Sequence, residues 1–289
     1  MKLSIITPNY NYAEYLPSLL NSVLIQQTEN VEYIIVDDGS TDNSIDILRS
    51  YSLKHPKVIK LIEQENHGQT YTINRALSEA SGDIIGWINS DDIYFKNAFN
   101  EVRKAFVDDN IDVVMGDIIL FDANSKFKFY RKYIPFNYHA GVYLGFGRQV
   151  SSNSIFWKKK LMTKNNITGL DNDFNYVMDG EFWSRLLYKA KIKKINYPLA
   201  CWRIHEMAKT SFRQTKNDPA QQEANNENRI ISERAFKKLP ISKNIDFKYL
   251  KSLRYYHKLR RYILKLLHGC YFQKSRFSKL YAAYIKEIN

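Results

Sequence analysis

The strongest constraint on the fold is an alternation that repeats four times by Asn97: a short apolar run, a polar break, then a stretch with helical spacing. Residues 3–8, 31–36, 58–62 and 83–89 read as strands, and strands this apolar must be covered on both faces. Four such units joined by right-handed crossovers make a parallel sheet. Helices are expected from Asn11, where Glu14 three residues on fits a capping-box-like start, and over 44–51 and 70–80. Leu16, Leu19, Leu20, Val23 and Leu24 supply the first apolar stripe.

The polar breaks carry the chemistry. Pro8 stops the first strand and leads into Asn9-Tyr10-Asn11-Tyr12, while the second strand ends in Asp37-Asp38-Gly39-Ser40. The fourth is apolar over 84–88 and then runs into Asn89-Ser90-Asp91-Asp92. In open α/β sheets, ligands bind beyond the carboxyl ends of the strands. Adjacent carboxylates there suit a hard divalent cation that also bridges substrate phosphates, although Ser-Asp-Asp is equally good turn chemistry. No Gly-x-Gly-x-x-Gly follows the first strand, and there is no Gly-Lys-Ser/Thr loop, which disfavours a dinucleotide or P-loop site.

After residue 110 the texture changes. Residues 112–121 and 126–133 read as antiparallel strands around a turn, and 141–147, with three glycines, reads as a loop. A polar lead at 151–154 enters a short strand, Met178 opens a helix, 199–204 is a last strand, and helical pattern dominates from Asp218. At 289 residues with 44% hydrophobic content, the chain makes one large domain, or one domain with an appendage. No stretch approaches the ~20 apolar residues that span a bilayer, and Met1-Lys2-Leu3 runs straight into a strand, unlike a signal peptide. Cys201 and Cys270 form no spacing motif, so they read as structural thiols in a reducing cytoplasm. Charge is uneven: residues 241–289 hold 12 Lys and Arg against two acidic residues, so +10 of the +13 total lies in the tail.

Five stretches, taken in order, resemble the family-two inverting glycosyltransferases of the GT-A fold: Thr-Pro-Asn-Tyr-Asn at 7–11, Val-Asp-Asp-Gly-Ser at 36–40, Asn-Ser-Asp-Asp at 89–92, Met-Asp-Gly-Glu-Phe-Trp at 178–183 and Trp-Arg-Ile-His at 202–205. The resemblance covers residues 1–212 and implies an α/β fold with a mixed central sheet flanked by helices for that catalytic domain; beyond it, 213–289 reads from its own pattern as a basic helical extension. It implies that Pro8 and Tyr10 border the nucleotide base, that Asp38, with Asp37 beside it, meets uracil or ribose, and that Asp91 lies by the donor sugar or ribose. Asp92 is expected to ligate Mn2+ or Mg2+, with His205 as a further ligand. The family often has Asp where Asn89 stands; a neutral amide is a weaker ligand, so the metal rests on Asp92.

Asp179 matches the family's general base, with Glu181 as fallback. Gln149, Ser151, Ser152 and Asn153 sit where relatives shape the sugar and acceptor pocket, Trp183 is placed at the acceptor, and Arg203 at the donor phosphates or in a structural ion pair. The function so implied is inverting transfer of a sugar from a UDP-sugar to a hydroxyl of a glycan or lipid-linked acceptor, in surface polysaccharide biosynthesis. Rival readings are a nucleotidyltransferase and a catalytically silent scaffold that binds membrane or nucleic acid through its tail; no nucleic acid partner is expected of the enzyme.

In the tail, Leu253, Tyr256, Leu259, Tyr262 or Ile263, and Leu266 recur at helical spacing with Arg254, Lys258, Arg261 and Lys265 between them. Such a helix either lies on an anionic membrane or packs on the domain with a solvated basic face. The expected location is cytoplasmic and, on the first of these readings, peripheral on the inner face of the cell membrane.

Overall fold

The computed structural model describes residues 1–26, 29–206, 218–243 and 251–289. Strands β1 (Leu3–Asn9), β2 (Val31–Asp37), β3 (Ile59–Glu63) and β4 (Ile84–Trp87) lie parallel in the order β3-β2-β1-β4. Helices α1 (Leu16–Leu24), α2 (Ser44–Lys54) and α3 (Gln69–Glu79) connect them. Every residue of β1 and β4 is buried, as two-sided cover requires. The β1–β2 register pairs Pro8 with Val36 and Asn9 with Asp37, so the polar breaks after both strands open at one edge.

A two-residue strand β5 (Ile93–Tyr94) and helix α4 (Ala98–Ala105) follow, then the hairpin β6 (Val113–Asp122) and β7 (Phe127–Arg131). Next come α5 (Tyr138–Leu144), β8 (Ile155–Lys158), α6 (Lys159–Lys164), α7 (Met178–Leu186) and β9 (Ile192–Ile204). The sheet continues β4-β8-β6-β9-β5 with β7 on β6. β8 is antiparallel to both neighbours and β9 parallel to β6, so the sheet is mixed. Under its middle lies a buried ion pair, Lys194 Nζ to Asp117 Oδ1 at 2.6 Å, with Asp117 also accepting from the Tyr130 hydroxyl and the Tyr133 N–H.

Two local expectations need correction. The glycine-rich 141–147 stretch is helical up to Leu144: the Asn137 side chain caps the Ala140 N–H at 2.8 Å, and Ala140, Val142 and Tyr143 are buried. Gly141 is present for close packing, since a Cβ there would meet Phe146 at 2.6 Å; only Gly145, at φ +90°, breaks the helix. Asn11 does not cap α1. It adopts φ 58°, and its side-chain oxygen accepts the Thr41 N–H at 2.7 Å, so it ties the first polar break to the second.

The boundary expected at 212/213 falls outside the described residues. Beyond it, α8 (Pro219–Phe236) puts Ile231, Ala235 and Phe236 into the main core beside α7. α9 (Lys251–Leu267) lies against α5, where His257 stacks on Tyr143 at 4.7 Å. α10 (Ser278–Ile288) closes an aromatic cluster with Phe95, Phe121 and Tyr130 through Tyr281 and Tyr284. Among the described residues no helix is long and apolar enough to cross a membrane.

Candidate active site

An open cavity of about 1770 Å3 lies over the carboxyl ends of β1, β2 and β4, lined by Pro8, Tyr10, Asp38, Asp91, Asp92 and, opposite, Asp179. Pro8 is buried one residue before the end of β1, while Tyr10 is 44% exposed, an open ring at the rim. Asp38 is 3% exposed. Its Oδ1 accepts the Gln64 amide at 2.7 Å and the His67 N–H at 2.9 Å, and its Oδ2 accepts the Gly68 N–H at 2.9 Å. These bonds fix the carboxylate between the end of β2 and the start of α3.

The pair after β4 divides its work. His205, directly after β9, brings Nε2 to 3.0 Å from Asp91 Oδ2, and its ring is held by Tyr15 at 5.0 Å and edge-on by Tyr12 at 6.0 Å. Asp92 is turned the other way: Oδ1 accepts the Arg203 N–H at 2.9 Å and Oδ2 the Asn153 amide at 2.8 Å. Burial and then the adjacent Asp91 charge push the Asp92 carboxyl well above the usual carboxylate range, against those two donors. Of the expected metal set, Asp92 is engaged by Arg203 and Asn153, and the carboxylate brought to His205 is that of Asp91. Asn89 is spoken for by the Trp87 indole N–H at 3.0 Å. Among the described residues no three His, Cys, Asp or Glu side chains gather as a metal cage. One carboxylate with one imidazole is nonetheless a donor set that suits Mn2+ or Mg2+ once substrate oxygens complete the shell. Tyr12, whose phenol is pushed up by burial and by Asp91 and Asp92, stays protonated beside them as a donor.

Asp179 opens α7 across the cleft. Its Oδ1 accepts the Gly180 N–H at 2.7 Å and its Oδ2 the Ser152 hydroxyl at 3.2 Å. A Cβ at Gly147 would lie 3.7 Å from Asp179 Oδ2, so this glycine leaves open the approach to the carboxylate.

Residues 4–177 match the family described as Glycosyl transferase family 2. The chain belongs to that family. An uncharacterized glycosyltransferase of Nostoc sp. is 37% identical over 126 residues, 44% of this chain and 39% of its own length. The minor teichoic acid biosynthesis protein GgaA of Bacillus subtilis is 40% identical over 110 residues, 36% of this chain and 25% of its own. The chain thus spans less than half the length of these curated relatives. Among solved structures, residues 1–349 of S. aureus TarS in complex with UDP-GlcNAc align at a TM-score of 0.59 and 19% identity, covering 86% of this chain and 77% of that one. The mannosyltransferase PcManGT from Pyrobaculum calidifontis, in complex with GDP-Man and Mn2+, aligns at 0.54 and 15% identity, covering 99% and 85%. The fold is GT-A.

Within this family-two chain, three expected site residues lie elsewhere. Asp37 closes its own turn, accepting the Ser40 N–H and hydroxyl and the Asn9 amide at 2.7–2.9 Å, and does not line the cleft. Trp183 is fully buried; its indole donates to Ser152 Oγ at 3.3 Å, so it shapes the pocket from behind and does not face an acceptor. Arg203 is sandwiched 4.5 Å from both the Tyr15 and Phe121 rings and donates to the Asp91 carbonyl, which makes it a clamp on the carboxylate loop. Glu181, the fallback base, is buried and paired with Arg185 at 2.6 Å. Ser152 and Asn153 do line the cleft, through their bonds to Asp179 and Asp92.

Sequence reasoning missed Glu227 of α8. Its carboxylate accepts three consecutive backbone N–H groups, Asn175, Tyr176 and Val177, at 2.8–2.9 Å, and so holds the loop that delivers Asp179. Nothing local flags a glutamate in mid-helix, because its partners lie about fifty positions away in the chain.

Proposed function

We propose that the chain transfers a sugar from a nucleoside diphosphate donor, a UDP-sugar, to a hydroxyl of a glycan or lipid-linked acceptor, with inversion, in surface polysaccharide biosynthesis. The observation that carries this reading is the convergence of Asp38, Asp91 and Asp179 on one cavity. At about 1770 Å3 the cavity exceeds the roughly 300–1,000 Å3 of a site for one small ligand, as two substrates meeting would require. A relative named for minor teichoic acid biosynthesis and a UDP-GlcNAc-bound fold neighbour support the substrate class.

Pro8 and Tyr10 border the base and Asp38 takes a ribose or uracil donor group. The acceptor hydroxyl attacks the anomeric carbon from the α7 side and passes its proton to Asp179 as the new C–O bond forms. The bond to the diphosphate breaks on the opposite face, and the diphosphate leaves with the electron pair. A carboxylate of reference pKa ~3.9 can accept the proton late, once the hydroxyl has become acidic. Asp91 and His205 would hold a Mn2+ or Mg2+ ion, which when bound neutralises charge on the leaving diphosphate. Ser152 orients the base, and Arg203 holds the backbone of Asp91 in place.

α9 supports a place at the inner face of the cell membrane. Its outward side exposes Leu259, Tyr262, Ile263 and Leu266, an apolar strip suited to the interfacial zone of a lipid surface, while the row of cations faces the cleft. The activity test is a panel of nucleotide sugars assayed for transfer and for UDP release. Asp179→Asn is expected to keep its UDP affinity and lose roughly 10²–10⁴-fold in turnover. An α-linked product from an α-linked donor, or full activity in that variant, would overturn the mechanism.

A further inference from the structure

The cleft has a second pole that the transfer chemistry does not use. Lys132 and Arg148 line it from the loops around α5, and Arg254, Lys258, Arg261 and Lys265 line it from α9. The last four are spaced 4, 3 and 4 residues apart, so they form one stripe. Leu253, packed on the main core, and His257, stacked on Tyr143, turn that stripe toward the cavity and the apolar side outward. At 1.5 Å per residue the row is ~16 Å long.

Its charge is uncompensated. Some cations elsewhere find carboxylates, as in Arg185–Glu181, Lys194–Asp117 and Lys96–Glu287. Among the described residues none of these six cations has a carboxylate within 4.0 Å, and α9 contains no acidic residue. Like charges along a helix face destabilise it. Arg261 shows the consequence most clearly: one guanidinium nitrogen donates to the Arg148 carbonyl, while Nη1 is buried without a hydrogen-bond partner. Burial, and then the neighbouring Arg261, pushes the Lys265 ammonium below its usual range. An anion seated along the row would complete Arg261 and relieve the repulsion.

We propose that this cationic wall is a subsite for phosphate carried by the acceptor, so that the enzyme glycosylates a phosphate-bearing acceptor in preference to a neutral glycan. The inference rests on the transferase reading above. Position assigns the phosphate to the acceptor: Arg148 ends the turn Phe146–Arg148, whose Gly147 borders Asp179, whereas the donor's expected contacts, Asp38 and Asp91, lie at the strand ends across the cavity. Guanidinium forks suit bidentate phosphate recognition, and a row this long can span more than one phosphate. The phosphate can come from a phosphodiester polymer or from a lipid pyrophosphate.

The test is donor-free binding by the full chain, measured by calorimetry with five probes: a soluble glycerol phosphate oligomer, a polyprenyl pyrophosphate in neutral detergent micelles, a polygalacturonate oligomer, a neutral maltooligosaccharide, and phosphatidylglycerol vesicles. At least one phosphate probe should bind about tenfold or more tightly than the uronate and neutral probes, and weaken with salt. The probe that binds names the source. The double variant Lys258→Gln/Lys265→Gln should lose about tenfold or more of that affinity while UDP binding stays within about twofold. Should it fail to fold by circular dichroism, Arg254→Gln, at the exposed end of the row, gives the same readout. The proposal falls if the phosphate probes bind no better than the others, if UDP binding drops in parallel, or if only phosphatidylglycerol vesicles bind. Failure of the transferase reading would look different: phosphate binding would persist with no UDP binding and no transfer.

Discussion

Replacing Glu227 by alanine tests how the general base is positioned. The carboxylate is 4% exposed and accepts three backbone N–H groups, at 2.8, 2.9 and 2.8 Å. A hydrogen bond to a charged group contributes about 1.5–3 kcal/mol. Simple addition overshoots here, because Asn175 is exposed and the freed N–H groups partly re-bond to water. A loss of about 2–4 kcal/mol is therefore expected, read as the shift in urea midpoint at constant slope. Because Asp179 is two residues beyond Val177, the start of α7 loosens as well. Turnover should fall about tenfold, equivalent to ~1.4 kcal/mol in the barrier, with the KM for donor little changed. Glu227→Gln, which keeps one acceptor oxygen, should recover part of both. A Glu227→Ala enzyme with wild-type midpoint and turnover would refute the positioning argument. One that loses stability but keeps turnover would reduce Glu227 to a structural tie.

Removing a partner from the buried pair under the sheet should be costly: Lys194→Met leaves Asp117, fully buried, without its ammonium and is expected to destabilise by ~3–5 kcal/mol in urea titration, whereas a loss under about 1 kcal/mol would deny the pair its role. For the metal, Asp91→Asn and His205→Gln should each raise the Mn2+ concentration needed for half-maximal transfer by about tenfold or more. Full activity of either variant in excess chelator would remove the ion from the mechanism. Glu32 supplies an acid-sensitive element: burial alone would raise its carboxyl, but donors on Lys2, Ser4 and Ser81 outweigh it and hold it at about 2, below the ordinary 4.5. The unfolded chain therefore binds that proton first, so the stabilisation is complete above pH 4.5 and is lost as pH falls toward about 2. Discounted for solvent screening it amounts to about 1 kcal/mol, and the gap between wild type and Glu32→Gln in urea midpoint should close across that window.

The sequence by itself determined the strand-helix alternation and the place of Asp38 and Asp91 at strand ends, because those signals are local, whereas the GT-A class and the pairing of Asp179 with them came from the resemblance of its motifs to family-two glycosyltransferases. Apolar runs report two-sided burial, and carboxylates placed just after a strand must sit at its end. What only the tertiary structure decided are questions of direction. Asp91 and Asp92 are neighbours in the chain, yet one faces His205 and the other is taken up by Arg203 and Asn153. Trp183 and Arg203 sit inside motif stretches but point into the core, since a motif names a residue and says nothing of its rotamer. The tail shows the same limit: helical periodicity predicts an amphipathic α9, but only the contacts of Leu253 and His257 turn Arg254, Lys258, Arg261 and Lys265 toward the cleft and Leu259, Tyr262, Ile263 and Leu266 outward. Partners that meet across fifty or more residues are invisible to a local pattern, and those contacts set which way each side chain faces.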